Sequence, residues 1–319
     1  MNPTSVTAVC FDANEIAEGL SLPLATGVLL RAARHDERVL IDKKIERLAP
    51  STLSPIPHGL LGSFQPKSSG WQFTPCPPPR AYVLLEAPSW EIERRHVSLL
   101  LIAERPLHFG FSVMNSVESG HSTMHDSEYL FQLLNSTAVP GENLKQIERK
   151  HGESYLALAK FTSAWDDQSW VRPHAMFEQY RQALRVSPTS PFRFLALCAI
   201  VEGLLVRKPK SSDSTESVGR QIKRKVPLLN RRNSAPVIAS HYFASSDNIQ
   251  DGDLLWNALY DLRSEIAHGD SASFVKGEGR KKVNLIDLNS CVNYVDATCR
   301  MLLRQMCEEP ELLADLRGV

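Results

Sequence analysis

The sequence predicts an α+β protein: an irregular, mixed N-terminal domain over residues 1–165, followed by an all-α helical bundle over 166–319. Three observations carry that reading. Short apolar runs broken by proline fill the first half, as expected of strands joined by loops. Apolar residues recur at three and four spacing through the second half, the helical period. One stretch, FRFLALCAIVEGLLV at 192–206, is apolar nearly all round, which marks a central helix buried on every side.

In the first half, strands are expected at 26–30, 38–41, 71–74 and 82–85. Eight prolines lie between Pro50 and Pro79, so that stretch reads as loop or sheet edge, where a missing N–H is tolerated. From Trp90 to Glu104 the pattern turns helical through Ile92, His96, Leu99, Leu100 and Ala103. Residues 108–114 read as a strand, and the polar run 120–128 as a loop.

In the second half, Met176, Phe177, Tyr180 and Leu184 mark one face of a helix over 173–184. Ser190 is placed to cap the apolar helix and Pro191 suits its first turn. Glu202 is the one acid on that helix. Residues 218–229 are weakly helical. Asp251 or Asp253 can cap the next helix, in which Leu254, Ala258, Leu262 and Ile266 recur at four spacing, and Gly269 can end it in the left-handed conformation. A polar, basic loop over 270–282 leads to a long helix over 285–306, with Pro310 as its stop. The second half therefore predicts about five helices, and no internal repeat is present.

Composition narrows the classes. The 319 residues suggest about two domains, and 43% apolar content is enough for a packed core. Formal net charge is zero, so binding to a polyanion must come from a local patch. No apolar run approaches the roughly 20 residues of a membrane span, and the start shows no leader pattern. The six cysteines form no C-x-x-C pair, and a cytoplasmic location is expected.

Chemistry concentrates in LYDLRSEIAHGD at 259–270. A histidine titrates near neutral pH and can move a proton, whereas an arginine stays charged and forks onto phosphate oxygens. Together, Arg263 and His268 are two of the parts that metal-free phosphodiester transesterification needs. Ser264 and His268 share a helical face, being four apart. Arg263 is rotated by about 140° from His268, so the pair can act together only if the helix loosens near Gly269 or if the arginine reaches round. A carboxylate in apolar surroundings is costly, so Glu202 requires a partner. Between 207 and 232, nine basic residues (among them Lys223, Arg224, Lys225, Arg231 and Arg232) face only Asp213 and Glu216. Arg280, Lys281 and Lys282 make a second basic patch. Such patches supply salt-dependent affinity for RNA without reading its sequence.

The R-x4-H spacing, placed at a helix end downstream of an apolar helix with one acid, resembles the R-x4-6-H motif of HEPN domains. Within that superfamily, RFLALCAIVEGLL and LYDLRSEIAHGD resemble the ApeA-like proteins of bacterial anti-phage defence, over about residues 170–309. The resemblance implies a helical bundle that forms a homodimer and brings two motifs into one cleft. It implies a metal-independent endoribonuclease, a defence toxin without a cofactor, in which His268 is the general acid/base and Arg263 stabilises charge on the phosphate. Ser264 would orient His268, and Glu202 would hold Arg263 or the motif backbone. The N-terminal domain would sense a phage-derived trigger or restrain the nuclease.

Other readings stand beside these. Arg263 and His268 can be a helix-end pair satisfying carbonyls and a surface acid such as Asp261. The chain can also be an inactive HEPN module that binds RNA, a nucleotide or a partner protein. His121 and His125 have metal-ligand spacing on a helix, but no third ligand is evident and their surroundings read as loop. Gly277-Glu-Gly279 lacks the third glycine of a dinucleotide fingerprint, and Gly120-His-Ser122 lacks the second glycine of a nucleophile elbow. Cys198 reads as core. Trp165, Trp170, Phe177 and Tyr180 read as packing residues rather than base-stacking platforms.

Overall fold

The computed structural model describes residues 5–10, 13–16, 21–48, 62–67, 70–75, 82–115, 145–147, 149–162, 171–207, 217–243, 249 and 252–317. The chain is α+β and divides into two compact units, 1–163 and 164–319. No described helix is long and apolar enough to cross a membrane.

The first unit is built on an antiparallel sheet. Its described strands are β1 (Ser5–Cys10), β2 (Ala13–Ile16), β3 (Ser21–Ala25), β4 (Val28–Ala32), β5 (Gly62–Lys67), β6 (Gly70–Pro75), β7 (Val83–Ala87), β8 (Phe109–Asn115) and β9 (Lys145–Ile147). Five of them order as β3-β4-β7-β1-β8. Gly27, at φ 75°, supplies the left-handed turn of the β3–β4 hairpin. Pro23 is tolerated because β3 is an edge strand. β5 and β6 pair only with each other, so Pro66 also sits in a ribbon without a central position. The described helices are α1 (His35–Leu48), α2 (Trp90–Leu101) and α3 (Arg149–Ala159). α2 is capped by Ser89, whose Oγ accepts from the Ile92 amide at 3.3 Å, and it packs on β1 and β7.

The expected strand at 38–41 is a correction. Those residues lie inside α1. Val39-Leu40-Ile41 is an apolar run too short to carry a period. The residues before it decide the outcome: Asp36 and Glu37 occupy the first turn, and the Glu37 carboxylate accepts from the Arg34 amide at 2.7 Å, satisfying a helix-start donor. The helix leaves Leu40 exposed and buries Ile41.

The second unit contains, among the described residues, α4 (Val171–Arg185), α5 (Pro191–Leu205), α6 (Val218–Arg232), α7 (Gly252–His268), α8 (Leu288–Glu308) and α9 (Pro310–Arg317). A small hairpin, β10 (Val275–Lys276) with β11 (Val283–Asn284), joins α7 to α8. Pro310 does not only stop α8; it opens α9, where its missing N–H costs nothing.

α5 is the hub and touches each of the other five helices. Phe194, Leu197, Cys198, Ile200, Val201, Leu204 and Leu205 are buried along it, each worth about 1.5–3 kcal/mol of gross burial. Ser190 caps its start and Pro191 stands at the first helical position. At its other end, Lys225 of α6 and Arg317 of α9 donate to the carbonyls of Leu205 and Val206 at 2.8 and 3.4 Å. Cations at a helix C-terminus suit the dipole there. Burial round α5 is incomplete: Phe192, in the first turn, is 71% exposed.

Candidate functional site

Glu202 lies one turn before the end of α5, and Arg263 lies on α7, which packs against α5. Their side chains meet. Arg263 Nε stands 3.1 Å from Glu202 Oε1, with the two side chains 31% and 23% exposed. The contact is an ion pair without hydrogen-bond alignment, because neither buried atom has a bonded partner. Glu202 thus has the counter-charge its apolar helix demands.

One further contact positions the guanidinium. Its Cζ sits 5.9 Å from the centre of the Tyr260 ring, one turn back along α7. That ring is in turn backed by α6: a Cβ on Gly219 would stand 3.3 Å from Tyr260 Cδ1, closer than a side chain fits comfortably. Arg263 is therefore held by Glu202 at its Nε edge and by Tyr260 on one face. Among the described residues no hydrogen bond reaches its two Nη atoms, and that edge is open to an oxyanion. The sequence reading did not select Tyr260. Its three-residue spacing from Arg263 was the available signal.

The motif helix ends sharply. Gly269 has φ 77°, its amide bonds to Ile266 O at 3.2 Å, and the Asp270 amide bonds to Glu265 O at 2.9 Å. This is a complete Schellman cap. His268 is the last helical residue; it is exposed, and among the described residues nothing is hydrogen-bonded to its imidazole. Ser264, half-buried, makes no hydrogen bond to it.

Of the two routes that would bring Arg263 and His268 together, loosening of the helix does not occur. α7 is continuous from Gly252 to His268, and the backbone departs from the helix only at Gly269. The two residues are therefore about 140° apart round one helix, with Cα atoms about 9 Å apart. Arg263 faces Glu202, while His268 stands at the exposed tip. The helical backbone of one chain does not turn them onto a common face.

Beyond His268 the chain is clamped to the motif helix. Glu265 accepts from the Ser273 amide at 3.0 Å and pairs with buried Lys276 of β10. Lys276, then the Ser273 amide, hold its carboxyl below the usual carboxylate range. Lys281 and Lys282, at the far side of this hairpin, are exposed. The backbone of Arg280 lies in the turn Gly279–Lys281, and its side chain is outside the described residues.

The α6 cations separate into different roles. Lys225 Nζ donates to Leu205 O at 2.8 Å and to Gln221 Oε1 at 2.9 Å. It caps the C-terminal end of α5. Arg232 pairs with Glu309 at 3.1 Å. Arg231 donates to Pro227 O in its own helix at 3.2 Å and is otherwise exposed. Arg224 is exposed and Lys223 half-exposed. Cys198 is core: burial, then the Glu202 charge, push its thiol well above the usual value, too high for a thiolate nucleophile. The expected loop at 120–128, His121, His125, Asp251, Lys208, Lys210, Trp165 and Trp170 lie outside the described residues.

Compared with protein-family models, curated proteins and solved structures, the chain finds no match. What the site can do rests on its own side chains. A guanidinium with one edge open binds a phosphate or carboxylate, and an exposed, unbonded imidazole exchanges protons with whatever reaches it.

Proposed function

We propose that this chain is a metal-independent endoribonuclease of the HEPN kind, cytoplasmic, working as a homodimer and serving as an anti-phage toxin. One observation carries the reading. Arg263 is braced by Glu202 and Tyr260 with its Nη edge unbonded, on the helix that ends at the unpartnered imidazole of His268. The helices gathered on α5 and the five buried, unpaired cysteines among the described residues are compatible with a HEPN bundle in a reducing compartment.

In this mechanism an imidazole accepts the proton of an RNA 2′-OH as that oxygen attacks the adjacent phosphorus. The P–O5′ bond breaks and the leaving 5′-oxygen takes a proton. The products are a 2′,3′-cyclic phosphate and a 5′-hydroxyl. Arg263 offsets the charge that grows on the non-bridging oxygens. Because Arg263 and His268 of one chain do not share a face, the reading assigns the two roles at each phosphate to different copies.

The same separation favours a second reading, an inactive module that binds RNA, a nucleotide or a partner protein. The two are distinguished by incubating pure protein with total RNA in EDTA. The ribonuclease reading requires cleavage with cyclic-phosphate 3′ ends, lost in His268→Ala at unchanged circular dichroism. Equal cleavage by that variant, or none by the wild type, makes the chain a binding module.

A further inference from the structure

α8 carries a second arginine held by a carboxylate. Asp296 and Arg300 are one helical turn apart, and Arg300 Nε donates to Asp296 Oδ2 at 3.2 Å. The other carboxylate oxygen, Oδ1, accepts from the hydroxyl of Tyr180 on α4 at 2.9 Å. Tyr180 is buried, and α4 packs on α8, so this bond ties the acid to the core. Both oxygens of Asp296 are thus engaged, and the guanidinium is fixed by its Nε edge. The Arg300 and Asp296 side chains are 17% and 18% exposed, so they stand below the outer surface. Asn293, three residues before Asp296, is exposed, so solvent reaches this side of α8.

Two groups of donors here have no partner. Among the described residues no hydrogen bond reaches the Arg300 Nη atoms, and that edge is open. The hydroxyl of Tyr242, just past the turn Ala239–His241, makes no hydrogen bond either. Tyr242 is half-buried, and its ring is set edge-on to Tyr294 of α8, with centres 5.7 Å apart at 72°. The Arg300 charge acts on the phenols of both Tyr180 and Tyr242. Burial, offset by Arg300 and reinforced by Asp296, holds the Tyr242 phenol above its usual 10, so at neutral pH it is a hydroxyl donor.

The donors select the ligand. Two parallel Nη–H groups match two oxygens of one head group. The hydroxyl of Tyr242, from a separate segment, supplies a third donor. A carboxylate offers two oxygens, whereas a phosphate monoester offers three. An internal phosphodiester carries chain on both sides and would have to thread below the surface; a terminal phosphate enters alone. We propose that Arg300 and Tyr242 form a second anion site, which takes free phosphate or the terminal phosphate of a small molecule, with Asp296 and Tyr180 as its brace. The site is independent of the ribonuclease reading. Asp296 opposes the charge of the ligand, so the dissociation constant should be modest, about 1 mM.

The test is isothermal titration of the full chain carrying Arg263→Gln, so that the other open guanidinium is absent. If circular dichroism shows that background unfolded, the wild-type chain replaces it and the fall caused by each further variant is read. The probes are inorganic phosphate, glycerol 3-phosphate and acetate. Arg300→Lys keeps the counter-charge for Asp296 but loses the fork, and should weaken phosphate binding about tenfold. Tyr242→Phe should weaken it at least about threefold. Tyr242→Phe leaves every charge in place, so it decides the matter if Arg300→Lys unfolds the chain. Tighter binding of glycerol 3-phosphate than of phosphate marks a monoester as the ligand, and equal binding marks free phosphate; both support the site. Absence of phosphate binding up to about 10 mM, equal affinity in the variants, or acetate binding as tightly as phosphate overturns it.

Discussion

Replacing Glu202 by glutamine removes the negative charge opposite Arg263 while nearly preserving the shape of α5. At the observed 3.1 Å, two unit charges attract by about 5 kcal/mol at an effective dielectric of about 20, and by about 1.3 kcal/mol in water. The pair lies between those limits and toward the lower, because both side chains keep contact with solvent and no hydrogen bond is aligned between them. A coupling of about 1–2 kcal/mol follows. The assay is a double-mutant cycle of Glu202→Gln, Arg263→Gln and the pair, read by urea unfolding with the slope held constant. The two single variants should differ. Glu202→Gln leaves a guanidinium whose Nη edge reaches water, whereas Arg263→Gln strands a carboxylate on an apolar helix beside Cys198 and should cost more. A coupling below about 0.3 kcal/mol, within the error of additivity, would show that the two charges ignore each other and that Arg263 is not braced.

Three other outcomes are expected. Gly269→Ala should cost about 1–2 kcal/mol in urea unfolding, all of it from φ 77°, since a Cβ there meets nothing within 4 Å; Gly269→Asn should cost less. Lys225→Met should lower stability by about 1–2 kcal/mol through two lost hydrogen bonds while leaving RNA affinity unchanged. His96, 2% exposed, bonds Ile92 O through Nδ1 at 2.8 Å and leaves Nε2 buried without a partner. Burial, offset in part by that bond, lowers its pKa from the usual 6.5. The unfolded chain then binds the proton more readily, so stability is full above the unfolded value and declines as pH falls below it. Melting temperatures at pH 7 and pH 5 should differ more for the wild type than for His96→Gln.

How much of this was legible depends on where each signal lies along the chain. α5 declared itself because capping serine, first-turn proline and continuous apolar character are adjacent in sequence. The end of α7 was equally local, resting on one glycine. β1 was not seen: in a strand with Val6, Ala8, Val9 and Cys10 all buried, the period-two alternation that marks a half-exposed strand is absent. α3 was also missed. The need of Glu202 for a partner was readable from its apolar neighbours, but the identity of that partner depended on how α5 crosses α7. Lys223, Arg224 and Lys225 look equivalent as three consecutive cations. Helix rotation alone turns the last of them inward to Leu205 O. The Glu265–Lys276 clamp joins residues across the Gly269 reversal, and no periodic pattern announces such a pair.

Glu202 belongs to the helix that touches all the other described helices of its unit, whereas the tip of α7 is solvent-facing. Changing the acid therefore takes the counter-charge from Arg263, while the exposed His268 side chain has no hydrogen bond to lose among the described residues. Variation within any lineage of this chain should accumulate at the exposed Lys281 and Lys282 of the hairpin loop, leaving the carboxylate as the fixed reference against which new preferences arise.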